Sequence, residues 1–157
     1  MNTNELRERL DALFPQLVDE LSQLVAIPSV SSDPSHAADV DRSAEHIRSR
    51  FEALGLDAQI HSVTTPEGVQ GKPAILARSP HIEGAPTVLL YAHHDVQPTG
   101  DLARWHSDPW TTVVKGDRIY GRGTSDDGAG VIVHFGSLSL LGKDLGANVV
   151  VYIEGEE

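Results

Sequence analysis

His93, Asp95, Asp126 and the acidic run Glu154-Gly-Glu-Glu157 have residue types and spacings that can do chemistry. His93 and Asp95 lie two apart in Tyr91-Ala-His-His-Asp-Val-Gln-Pro98, so extended backbone puts them on one face and turns His94 away. An imidazole that holds a metal through one nitrogen usually gives its other N–H to a carboxylate, and Asp95 is placed to receive it. The bland alternative is a pair of surface polar residues at a strand end. Asp126 and Asp127 follow the glycine-rich turn Tyr120-Gly-Arg-Gly-Thr-Ser125. A carboxylate there can bridge two cations, or either acid can simply cap the helix that follows. The glutamates offer a ligand and a general base on one reading, a solvated tail on the other. One histidine, several carboxylates and no thiol is the donor set of a two-metal hydrolase.

The elements that must position these residues can be read from periodicity. Leucines at 6, 10, 13, 17, 21 and 24 recur at helical spacing, and Pro15 predicts a kink or a fresh helix start inside that pattern. A second helix is expected over 38–54, closed by Gly55. Leu56, Ala58 and Ile60 alternate as in a half-buried strand, and residues 73–77 read as another. Residues 87–92 are nearly continuously apolar, which predicts a strand covered on both faces. Residues 111–114 and 118–120 flank a Lys-Gly-Asp turn and predict a hairpin. A third helix over 128–141 and a buried strand over 148–153 complete an α/β pattern. The three acidic or histidine-bearing motifs each follow an apolar strand, so in a parallel sheet they would converge on one edge.

Composition narrows the function further. The chain of 157 residues is long enough for one core, and 39% hydrophobic with 22% charged is ordinary for a globular protein. Twelve basic against 23 acidic residues leave a net charge of −11, which opposes a nucleic-acid partner. The absence of cysteine excludes disulfides and thiolate sites and leaves donors suited to zinc, manganese or cobalt. The polar N-terminus has no apolar export signal and no run is long enough to span a membrane, so the expected location is cytoplasmic.

Taken in order, Leu24-Val-Ala-Ile-Pro-Ser-Val-Ser31, Leu90–Pro98, Trp105-His-Ser-Asp-Pro-Trp110, Ile119–Asp127 and Val151–Glu157 resemble the motifs of the M20 metallopeptidases. The likeness is strongest to their carnosinase-type dipeptidase branch. Ala92 stands where glycine is commoner, and Gly128 where lysine is usual. The resemblance implies a partial three-layer zinc-peptidase-type sheet with flanking helices, the lid domain being absent. Residues 1–157 are then the N-terminal portion of the catalytic domain, ending inside its Glu-Glu motif.

By the same resemblance His93 binds one metal, Asp126 bridges two, and Asp95 supports His93. The Glu pair supplies a general base followed by a ligand. In the dipeptidase register Glu157 is the base; in the alternative Glu156 is the base and Glu157 the ligand. The Asp126–Asp127 peptide is expected to be cis. The implied function is dinuclear zinc hydrolysis of small peptides, with Mn2+ or Co2+ as alternative ions, and the isolated chain is expected to be inactive. The expected partner is a small peptide substrate, without nucleic acid or membrane; a homo-oligomer stays open. Two other readings remain at this point: an N-acyl-amino-acid deacylase or desuccinylase of the same family, and a non-catalytic piece or split subunit that pairs with another chain.

Overall fold

The structure, a computed structural model, describes residues 2–157. Helix α1 spans Thr3–Val25 and starts on a capping box. The Asn2 side chain accepts from the Glu5 N–H, and the Glu5 carboxylate accepts from the Asn2 N–H. Pro15 lies inside this helix and does not start a new one. A proline removes one N–H rung, and the stripe Leu17, Leu21 and Leu24, buried on one side, gives the helix a continuous packing face beyond it. A short 3-10 turn leads into α2, Ala37–Ala53. That helix closes with the Gly55 N–H bonded to Glu52 O and the Leu56 N–H to Phe51 O, a Schellman pair.

Strands β1 (Asp57–His61), β2 (Ala74–Arg78), β3 (Thr87–His93) and β6 (Asn148–Glu154) form one mixed sheet in the order β1-β2-β6-β3. β2 runs antiparallel to β1 and β6, whereas β3 and β6 are parallel with His93 opposite Glu154. β4 (Val113–Lys115) and β5 (Arg118–Tyr120) make a separate hairpin, and α3 spans Gly128–Leu141. Ala58, Ile75, Ala77, Ala92, Val151 and Ile153 alternate onto one face of the sheet. There they form the core with Leu24 of α1, Ile47 and Phe51 of α2, and Val131 and Phe135 of α3.

The α/β expectation holds, with a sheet and one helical layer among the described residues. Two expectations need correction. β3 is not covered on both faces: Leu89 is 63% and Tyr91 51% exposed. The strand is the edge of the sheet, and the helices pack against the opposite face, so its apolar run marks a surface left open. Nor do three strand ends converge on one sheet edge. Only β3 and β6 are parallel neighbours, and Asp126 arrives from the loop after the hairpin. Among the described residues no helix is long and apolar enough to cross a membrane.

Candidate metal centre

His93 ends β3 with a side chain only 8% exposed. Its Nδ1 lies 3.0 Å from the Asp95 carbonyl oxygen and 3.2 Å from Asp95 Oδ1. That fixes the ring and turns Nε2 outward, 3.1 Å from Asp126 Oδ1 and 3.6 Å from Glu157 Oε2. One donor atom from each of His93, Asp126 and Glu157 lies within 4.8 Å of the other two. Two carboxylate oxygens that close to each other and to an imidazole nitrogen repel unless a proton or a cation sits among them. The donor set, nitrogen and oxygen without sulfur, fits a divalent ion of the zinc type. Burial pulls the His93 pKa down, but the hydrogen bond to Asp126 and the charges of Asp95 and Glu157 outweigh it and hold it above the usual imidazole value.

Each sequence candidate has a definite place. Asp95 is almost wholly buried, and its Oδ2 accepts from the Ser31 hydroxyl at 2.6 Å and from the Glu157 N–H at 3.4 Å. The Asp126 side chain is 77% exposed and meets His93 from the loop before α3. The Asp126–Asp127 peptide is cis, as expected. Asp127 proves to be the helix cap: its Oδ1 accepts from the Gly130 N–H at 3.1 Å, while its Oδ2 accepts from the His93 N–H at 3.3 Å. Of the two glutamates, Glu157 is the one brought to His93, whereas Glu156 is exposed and outside the cluster.

Several neighbours escaped the sequence reading. Ser29 and Ser31 sit two apart on the loop after α1. Ser29 donates to the His94 carbonyl at 2.7 Å and Ser31 to Asp95, so the Ile-Pro-Ser-Val-Ser segment fastens the β3 exit. His94 is turned to the other side, as the alternation predicts, and is buried there against partners the sequence did not indicate. Its Nδ1 meets Ser43 Oγ at 3.1 Å, its Nε2 meets Pro73 O at 2.8 Å, and burial lowers its pKa. Gly155 runs so close to Pro73 that a Cβ would overlap the Pro73 carbonyl oxygen and come 2.9 Å from His94 Nε2. Tyr91 donates to Glu154 Oε2 at 2.7 Å, and that bond raises the phenol pKa to about 12. The spacing of the two serines was the available signal; the rest depends on chain path.

Residues 89–157 match the model of peptidase family M20/M25/M40. The chain is 35% identical over 146 residues to the cysteinylglycine-S-conjugate dipeptidase of Corynebacterium striatum, covering 90% of this chain and 30% of that protein. The solved di-peptidase Dug1p of Saccharomyces cerevisiae superposes with a TM-score of 0.86 at 28% identity, covering 97% of this chain and 34% of that one. Human carnosine dipeptidase 1 gives a TM-score of 0.85 at 27% identity, with the same two coverages, 97% and 34%. The chain thus spans about a third of the length of the relatives it matches.

Proposed function

Because the chain belongs to peptidase family M20, we propose that it carries part of the active site of a metal-dependent dipeptidase. On this reading His93 and Asp126 are metal ligands, Asp95 orients His93 and Glu157 is the general base. The observation that carries it is the convergence of His93 Nε2, Asp126 Oδ1 and Glu157 Oε2, with Nδ1 of the same ring held by Asp95. Zinc is the ion proposed because the donors are imidazole and carboxylate, and two per complete site is what the likeness to the M20 family implies.

Bound zinc supplies positive charge that brings the pKa of a neighbouring water toward neutrality and polarises a peptide carbonyl. The rest is done by this chain. His93 and Asp126 hold the ion, and buried Asp95 fixes which imidazole nitrogen faces it. Glu157, its side chain 55% exposed beside that nitrogen, accepts the proton of an attacking water and returns it to the leaving amine. The two ligands assigned, His93 and Asp126, are fewer than the four that a zinc site takes. We therefore assign the remaining donors to polypeptide outside these 157 residues, and the chain alone is expected to be inactive. The substrate proposed is a small dipeptide such as cysteinylglycine, on the names of the relatives.

The test is the complete gene product, loaded with zinc and assayed on cysteinylglycine. Hydrolysis should occur, and Glu157→Gln should lower kcat by about 10²–10⁴-fold with zinc content unchanged. Full activity in that variant rejects the base assignment, and no dipeptide hydrolysis with zinc, manganese or cobalt rejects the function.

A further inference from the structure

Arg122 stands four residues before Asp126 in the glycine-rich turn, and its side chain reaches the loop that leaves His93. Its Nη2 donates to the Pro98 carbonyl at 3.0 Å, at the end of the segment that begins with His93. Its guanidinium lies 5.4 Å from the centre of the Trp105 ring. Trp105 in turn donates from Nε1 to the Thr99 carbonyl at 2.9 Å. On the main chain, the Arg122 N–H bonds to Pro109 O at 2.7 Å. The next residue, Gly123, has φ +78, and a Cβ there would come 2.7 Å from Val96 Cγ1. The turn carrying Asp126 is therefore nested against the loop leaving His93, and Arg122 spans the joint.

The chemistry of the spanning side chain is specific. Arg122 Nε is buried without a hydrogen-bond partner. The guanidinium carbon lies over the Trp105 ring while one fork nitrogen donates to Pro98, two contacts that a guanidinium spans at once more readily than the point charge of an ammonium. One loop leaves from His93 and the other arrives at Asp126, and the two donor atoms sit 3.1 Å apart. A shift of either loop changes that distance directly.

We propose that Arg122, backed by Trp105, is a positioning residue of the metal centre, fixing the Asp126 turn against the His93 loop. The inference rests on the metal-ligand reading above. Its test uses Co2+ alone as probe on the complete gene product, reading affinity and the visible d–d spectrum beside thermal melts. Wild type should show the d–d bands and His93→Ala should lose them; identical spectra in these two reject the ligand reading itself. With that reading standing, Arg122→Ala and Trp105→Ala should each weaken Co2+ binding about tenfold and alter the d–d bands while the folded fraction stays that of wild type. Trp105→Phe, which keeps a ring face, should restore wild-type binding, whereas Arg122→Lys should not. Wild-type affinity and spectrum in Arg122→Ala and Arg122→Lys overturn the proposal. So does a loss of binding that follows only the loss of folded protein in every variant, because the joint then holds the fold and not the site.

Discussion

The two nitrogens of His93 face different environments, and that division decides what the ring can do. Nδ1 points at Asp95 inside the protein, and Nε2 points at two carboxylates at the surface. The arrangement depends on Asp95 staying put, and its Oδ2 is held by Ser31 from 64 residues away. Removing that hydroxyl leaves a buried carboxylate oxygen with the longer Glu157 N–H bond. Ser31→Ala should cost about 1–3 kcal/mol in denaturant unfolding and weaken metal binding as well. Unchanged unfolding would show that water replaces the serine. The His93–Asp95 pair was legible because strand geometry has a period of two. Ser31 and the Ser43 and Pro73 partners of His94 were not, since nothing local in a sequence says which distant loop will cross a strand end.

At the scale of elements, the site is assembled by the N-terminus of α3 and the C-termini of β3 and β6. Asp127 serves two of them, capping α3 and taking the His93 N–H on the edge of β3. Asp127→Ala should destabilise the fold by about 1 kcal/mol through the lost cap, measurable in thermal melts. It should also loosen the end of β3, seen as faster hydrogen exchange at His93. Gly155 marks where the end of β6 passes Pro73 and His94. Gly155→Ala forces main chain apart there, so it should unfold the protein or cost more than about 2 kcal/mol; wild-type stability would contradict the tight passage. Helix α3 matches its expected bounds, because its apolar content is bracketed by Asp127 and Gly142. The continuity of α1 through Pro15 and the open face of β3 were not legible. Both turn on tertiary packing, which periodicity does not encode.

For the whole molecule, the helices and the sheet bury one face and leave the other bare. Leu89 and Tyr91 are exposed there beside half-buried Val150 and Tyr152, and the Tyr91 and Tyr152 rings stand 6.1 Å apart. An apolar sheet face and edge of that kind promote association, although the net charge of −11 opposes it. Leu89→Lys should reduce light scattering of the chain at high concentration with little change in its melting temperature; equal scattering would mean that the face is not what associates. The same bareness fits a chain that covers about a third of its relatives. The claim on which the rest depends is that His93 and Asp126 hold a metal, and it is tested most directly by calorimetric titration of Zn2+ into the complete gene product and its His93→Ala variant. The account predicts saturable binding by wild type that weakens at least about tenfold in the variant. Equal stoichiometry and affinity in the two proteins would contradict it.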